Sequence, residues 1–419
     1  MIWAAVPRRG PFRGSIAVPG SKSFTNRALL LAALSPGPVV VRGPLACEDA
    51  DAMVGALAAS GSRIRTQGDT LLIEPGLPPA EAVVLDVRDS GTACRFLTAF
   101  AAATEGLDAT VTGSERLCER PIGPLVEALR SLGAEIEDLG RPGYPPVRIR
   151  GRRLRGGEIS VDSSRSSQFA SAILLVGARF EGGVSLATPG PAVSRPYLET
   201  TREALAAAGV ALEEKEGRWI VPGGASIAPG EWDVPGDYSS GAALAAAVAV
   251  AGGTLRLDRL AWPSTQADAR AFDMLGAMGV AVRPGEGSVT VEGRATAPAS
   301  VDASDFPDAV PVLCAVAARV EGESAFAGVE HLRIKESDRL AALEEALAAA
   351  GIRAETRGAA IRVFGSRESS PGQAAFPTRG DHRMVMAGAL LSLPRGGYVE
   401  SPRSVAKSYP GFFADLFAV

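Results

Sequence analysis

Residues 18–37 read VPGSKSFTNRALLLAALSPG, and residues 234–253 read VPGDYSSGAALAAAVAVAGG. Both run a strand end into Pro-Gly, then a polar cap, then an Ala/Leu-rich helix closed by glycine. Looser copies begin at Asp89 (DSGTACRFLTAFAAA), Ser164 (SRSSQFASAILLVGA), Ser304 (SDFPDAVPVLCAVAA) and Gly380 (GDHRMVMAGALLSL). The six starts fall roughly seventy residues apart, which marks an internal repeat. Amphipathic helices ending in glycine lie between them, such as LVEALRSLGA, TREALAAAGV, AFDMLGAMGV and RLAALEEALAAAGI. Short β-rich stretches such as VRIRG, GSVTVEG and AIRVFG follow. The predicted unit is strand, buried helix, strand, amphipathic helix, then strands. Six such units predict an α/β protein of two domains with three units each. The chain is expected to cross between domains near residue 19 and return near residue 234. Residues 1–18 plus 234–419 then form a discontinuous domain, and 19–233 an inserted one. One large α/β sheet is the alternative, and it accounts poorly for a sixfold repeat.

The composition is that of an ordinary globular chain: 419 residues, 46% hydrophobic and 21% charged. That length supports two domains with real cores. A net charge of −4 argues against binding nucleic acid by bulk attraction. No apolar run has the length of a membrane span free of charge or glycine. The start, MIWAAVPRRGPFRG, lacks a charged leader followed by an apolar core and cleavage site. Cys47, Cys94, Cys118 and Cys314 are widely spaced, with no CxxC and no Cys/His ligand pair. The expectation is a cytoplasmic, reduced protein without structural metal, nucleic-acid partner or membrane anchor.

Of 43 Lys+Arg, four are lysines, leaving 39 arginines. Lys22 lies in PGSKSFTNR, Lys335 in HLRIKESDR and Lys407 in AKSYPGFF; only Lys215 lies in an ordinary charged stretch. In so arginine-biased a chain, a lysine kept in a polar loop points to a site that needs a compact ammonium rather than a planar fork. The only histidines are His331, just before the second lysine motif, and His382 in GDHRM.

The repeat has a chemical consequence. Helices apolar all round are buried, and their N-termini offer free N–H groups and partial positive charge, a ready anion site where several face one cleft. Lys22 and Ser23 fall at such a helix start, with Arg27 one turn on and on the same face. That set suits a phosphate or carboxylate, although the Walker pattern G-x-x-x-x-G-K is absent. Alternation from Leu332 to Ile334 reads as a strand, with Ser337 or Asp338 capping a helix from Arg339. The Lys335-Glu336 pair between them is suited to proton transfer if buried, and to a surface ion-pair mesh if exposed. Ser166, Ser167 and Gln168 precede a buried helix, with Ser194, Arg195 and Tyr197 downstream: apart from the Arg195 cation, neutral hydrogen-bonders able to orient a polyhydroxylated anion. Arg120, Asp381-His382-Arg383 and Lys407 add charge at other loop ends. Asp308, at a helix start in FPDAVP, is placed to accept a proton or simply to complement the helix dipole.

PGSKSFTNRALLLAAL, ERPIGPLVEALRSLGA, SSQF, the SRPY run, HLRIKESDRL, DHRM and AKSYPGFF, in this order over the whole chain, together resemble the EPSP synthase (3-phosphoshikimate 1-carboxyvinyltransferase) family. The resemblance implies a two-domain inside-out α/β barrel, each domain built of three βαβαββ-type units, with the active site in the cleft between domains. It implies transfer of the enolpyruvyl group of phosphoenolpyruvate to shikimate 3-phosphate through a tetrahedral ketal phosphate. No metal or organic cofactor is implied, and a monomer is expected. By resemblance, Lys22, Ser23, Arg27, Ser166, Ser167, Gln168, Ser194, Tyr197, Asp308, His331 and Lys335 contact shikimate 3-phosphate. Lys22, Gly91, Thr92, Arg120, Gln168, Arg339, Arg383 and Lys407 contact phosphoenolpyruvate. Asp308 takes the proton of the 5-hydroxyl, and Glu336, with Lys22 or Lys407, handles the remaining proton steps.

Three positions depart from the family pattern. Asp89, in Asp89-Ser90-Gly91-Thr92, replaces an amide beside the phosphoenolpyruvate pocket. His331 stands where some members have Asn, and Phe96 where some have proline. Gly91 is the small residue that admits glyphosate in sensitive members, so inhibition is expected. Two rival readings stand beside this one: a UDP-N-acetylglucosamine enolpyruvyl transferase-like enzyme using Cys118, and a non-catalytic anion-binding homologue.

Overall fold

The computed structural model describes residues 2–189, 195–367 and 373–419. The chain divides into two compact units, Gly20–Val234 and Met1–Pro19 with Pro235–Val419.

In the Gly20–Val234 unit, three helices form the interior: Lys22–Leu34, Gly91–Ala103 and Gln168–Val176. They pack on one another, and each also packs on its own four-stranded sheet. Leu29, Leu30, Leu31, Phe96, Leu97, Ile173 and Leu174 are fully buried. At about 1.5–3 kcal/mol for each large side chain removed from water, this core dominates the unit's stability. The sheets share one pattern. Val39–Arg42 pairs parallel with Gly230–Asp233 and antiparallel with Thr70–Glu74, which turns back to Arg63–Gln67. The sheets centred on Asp108–Thr112 and on Val184–Ala187 repeat it. Amphipathic helices Glu48–Ala59, Gly123–Ser131 and Pro196–Ala207 complete the repeats.

The other unit is built likewise on helices Tyr238–Ala251, Val310–Ala317 and His382–Ser392. Nearly every residue of Tyr238–Ala251 is buried, as expected of a helix with no polar face. The sheets centred on Gly253–Asp258 and Gly322–Ala327 keep the same pattern. The sixth sheet departs from it. Gly397–Glu400 pairs parallel with Ala374–Phe376, and its other edge is taken by the N-terminal strand Trp3–Val6. Helices inside and separate sheets outside give the α/β architecture the repeat implies.

One local expectation fails. Leu332–Ile334 is not a strand but part of a 3₁₀ turn, Glu330–Ile334. The preceding strand ends at Ala327, and Gly328, at φ +72°, turns the chain out of the sheet. Leu332 N–H then donates to Val329 C=O at 3.0 Å. Among the described residues, no helix is long and apolar enough to cross a membrane.

Candidate active site

Of the predicted residues in the Gly20–Val234 unit, Lys22, Ser23, Gly91, Thr92, Ser167 and Gln168 stand at the starts of its buried helices. Pro19-Gly20 delivers the chain to Lys22, the first residue of its helix. A Cβ on Gly20 would lie 2.1 Å from the Gly43 carbonyl, so this approach admits only glycine. Lys22 Nζ donates to Asp49 Oδ2 at 3.0 Å. Arg27 is 2% exposed and ties four segments together. It donates to Thr201 Oγ1 and to the carbonyls of Tyr197 and Ser23 at 3.0 Å, and to Ser171 Oγ at 3.3 Å. Its guanidinium lies 5.3 Å over the Phe96 ring. All four acceptors are neutral oxygens, and burial pushes the guanidinium down to about 10.

Gly91 opens the second helix, capped by Ser90, whose hydroxyl accepts from Ala93 N–H. A Cβ on Gly91 would fall 2.6 Å from the guanidinium nitrogens of both Arg120 and Arg95, so the two forks close over this backbone. Arg95 also donates to the Gly91 and Pro121 carbonyls at 2.9 and 3.0 Å. Gln168 Nε2 donates to Thr92 Oγ1 at 3.0 Å, linking the second and third helices. Ser166 Oγ accepts from Gln168 N–H at 3.3 Å, and Ser167 is the buried cap residue. Asp89 is exposed and accepts from Ser114 Oγ. Ser194 lies outside the described residues.

The second cluster lies in the unit holding Asp308. Asp308 sits in the 3₁₀ turn Pro307–Ala309 that leads into a buried helix. Arg339 NH1 donates to its Oδ1 at 2.9 Å, while Lys335 Nζ and Arg383 stand 3.6 and 3.7 Å away. Burial by itself raises this carboxyl, but the Lys335, Arg383 and Arg339 charges outweigh it and hold the group well below the usual carboxylate range. Arg339 is 1% exposed and also donates to Glu336 at 2.7 Å and to Asp381 at 2.8 Å. Burial disfavours its charge, yet Asp381, Glu336 and Asp308 together raise it above its ordinary value. Asp338 caps the helix from Arg339, accepting from Ala341 N–H at 3.1 Å. Asp381 caps the helix from His382, accepting from Arg383 N–H at 2.9 Å. Lys407 Nζ stands 3.5 Å from Glu336 Oε1.

His331 is half-buried, and its Nε2 has no hydrogen-bond partner among the described residues. Burial and the nearby Lys335 push its imidazole down to about 4, so it is neutral at pH 7.

Sequence reasoning missed four members of these clusters. Asp49 looked like an ordinary acid in a helix first turn, and Arg95 carried no motif of its own. Asp237 caps Tyr238–Ala251 by accepting from Ser239 N–H at 3.1 Å. Asp268 is 2% exposed and accepts from Ser239 Oγ, and burial pushes its carboxyl up to about 7 against the pull of Arg383. Asp237 shares the cap position of Lys22's repeat, a signal the sequence did hold. Cys118 is half-buried, with its thiol donating to the Gly113 carbonyl at 3.7 Å. Among the described residues, no three His, Cys, Asp or Glu converge as metal ligands.

The first cluster holds cations beside neutral hydroxyl and amide groups, and the second holds cations among carboxylates. Known proteins with this chain's features point one way. The model of the family described as EPSP synthase (3-phosphoshikimate 1-carboxyvinyltransferase) matches residues 6–416. A 3-phosphoshikimate 1-carboxyvinyltransferase of Laribacter hongkongensis is 39% identical, over 97% of this chain and 96% of that one. Its counterpart in Methanoculleus marisnigri is 37% identical over 98% of both. Among solved structures, EPSP synthase from Acinetobacter baumannii superposes with a TM-score of 0.80 at 26% identity, covering 99% of this chain and 97% of that one.

Proposed function

The chain belongs to the EPSP synthase family, and from that premise we propose that it joins phosphoenolpyruvate to shikimate 3-phosphate, giving 5-enolpyruvylshikimate 3-phosphate and phosphate for aromatic amino acid biosynthesis. The observation that carries the mechanism is the set of three cations around one ionised carboxylate, Asp308. In the free protein those cations make Asp308 a weak base. Substrate phosphate and carboxylate groups that draw Lys335, Arg339 and Arg383 to themselves release it to accept the 5-hydroxyl proton. The hydroxyl oxygen then bonds to C2 of phosphoenolpyruvate while C3 gains a proton, giving the ketal phosphate. Loss of a proton from C3 and cleavage of the C2–O bond to phosphate completes the exchange. Glu336, held between Arg339 and Lys407, carries the C3 proton, with Lys22 or Lys407 serving the departing phosphate.

Ser23, Arg27, Ser166, Ser167 and Tyr197 receive shikimate 3-phosphate, aided by His331, whose neutral imidazole suits a hydroxyl. Arg120, Gln168 and the Gly91-Thr92 backbone receive phosphoenolpyruvate, with Arg339, Arg383 and Lys407. Asp89 is a tolerated variation, because the Ser114 hydroxyl engages it at the surface. The protein acts as a cytoplasmic monomer on two small substrates. The deciding experiment is phosphate release from phosphoenolpyruvate with and without shikimate 3-phosphate, with the product identified by mass. Release that needs both and yields the enolpyruvyl ether is expected; binding of both without turnover sinks the proposal. Glyphosate is expected to inhibit, and turnover unchanged at millimolar glyphosate refutes that part.

A further inference from the structure

A partly open cavity of about 590 Å³ lies in the unit formed by Met1–Pro19 and Pro235–Val419. None of its lining residues belongs to the cluster around Asp308. Four chain segments supply it with five arginines. Arg8 and Arg9 follow the strand Trp3–Val6, Arg294 follows Ser288–Glu292, Arg319 follows the helix Val310–Ala317, and Arg367 follows Ala360–Gly365. Ala249, Val250 and Ala295 make an aliphatic wall. Among the described lining residues none is acidic and none is aromatic.

Elsewhere in this chain exposed arginines commonly find carboxylates, as Arg42 does with Glu231 and Arg150 with Glu135. Among the described residues, Arg8, Arg9, Arg294 and Arg367 enter no ion pair. Arg9 is held in place between the Phe12 and Phe417 rings, 5.3 and 5.9 Å from their centres, and donates to the Phe417 carbonyl at 3.2 Å. Its Nε is buried with no hydrogen-bond partner. Burial, Arg395 and Arg294 all lower the Arg319 guanidinium, a sign of crowded like charge. The plainer explanation is capping of helix C-termini, and Arg294 does donate to the Ala251 carbonyl at 2.9 Å. Three helix ends adjoin the lining, those of Tyr238–Ala251, Val310–Ala317 and His382–Ser392, and supply about one and a half negative charges in all, against the four guanidiniums of Arg8, Arg9, Arg294 and Arg367. Capping therefore accounts for a minor part of the set.

We infer that this cavity binds a small aliphatic polyanion carrying two or more phosphate or carboxylate groups. Guanidinium forks match both oxyanions, and the volume suits a metabolite-sized ligand. With no described ring in the lining, a nucleobase has no platform to stack on. The test is arginine modification by phenylglyoxal in the full chain, read residue by residue by peptide mass spectrometry, with fructose 1,6-bisphosphate as probe. At about ten times its Kd the probe is expected to slow modification of Arg8 and Arg294 about tenfold. Exposed Arg155 and Arg403 serve as internal controls and are expected not to change. The double change Arg8→Gln, Arg294→Gln alters only exposed side chains and is expected to abolish the protection of Arg319 while leaving turnover unchanged. Citrate tests whether carboxylates suffice in place of phosphates. Equal modification with and without both probes at low salt overturns the site. ATP protecting far better than tripolyphosphate overturns the aliphatic assignment.

Discussion

The buried arginines of the two units are compensated in opposite ways. In the Gly20–Val234 unit, Arg27 rests on four neutral oxygens and Arg95 on two carbonyls. In the unit holding Asp308, Arg339 binds three carboxylates at once. In the first arrangement Arg27 keeps its charge on neutral oxygens, while neighbouring Lys22 is paired with Asp49. The second sets carboxylates against cations, which holds Asp308 ionised and Arg339 charged. A reaction that must bind two polyanionic substrates and also move protons needs both. The folded chain carries the cost of burying the Arg27 charge without a carboxylate beside it.

Substitutions test this contrast from both sides. The largest effect is expected from Asp308→Asn and Glu336→Gln, which keep shape and remove the proton carrier. Steady-state kinetics are expected to show kcat reduced by about 10²–10⁴ with modest change in KM. Equal losses from Arg27→Met would erase the division of labour. Next come the two arginines compared for stability. Arg339→Met strands Asp381 and is expected to cost about 3–5 kcal/mol in denaturant unfolding. Arg27→Met strands no carboxylate, so although it removes four hydrogen bonds to neutral oxygens it is expected to cost less than Arg339→Met in the same unfolding measurement. It is also expected to raise the KM for shikimate 3-phosphate. Gly91→Ala is expected to raise the KM for phosphoenolpyruvate, because its Cβ must push back the Arg120 and Arg95 forks.

A further contrast lies in pH dependence. Asp268, raised from 3.8 to about 7 in the fold, contributes stability below pH 4 that is lost as pH rises through 7. His331, lowered from 6.5 to about 4, contributes stability above pH 6.5 that is lost as pH falls through 4. The two oppose each other between pH 4 and 6.5. Asp268→Asn leaves the histidine contribution alone, so the melting temperature is expected to climb across that window, by on the order of 2 kcal/mol in stability. His331→Gln is expected to reverse the slope. A flat profile in both variants refutes the pairing.

The repeat was legible because helix starts and helix burial are written locally, in Pro-Gly turns, caps and unbroken apolar runs. The residues that cluster around Lys22 and Arg339 were only partly so. Asp49, Arg95 and Asp268 sit in stretches whose composition fits ordinary helices, and only packing brings them against Lys22, Gly91 and Arg383. The Leu332–Ile334 alternation misled because Gly328 removes the chain from the sheet just before it. The use of Trp3–Val6 to edge the sixth sheet was also invisible, since four residues carry no sign of a partner at the other end of the chain.

That last pairing orders the protein's birth. Trp3 is made roughly 400 residues before its partner Glu400, some 20–80 s at ordinary synthesis rates of about 5–20 residues per second. The Gly20–Val234 unit has every strand of its three sheets within its own span and can close while synthesis continues. Trp3–Val6 stays without its neighbour throughout, and the sheet it edges is completed only after Gly397–Glu400 is made.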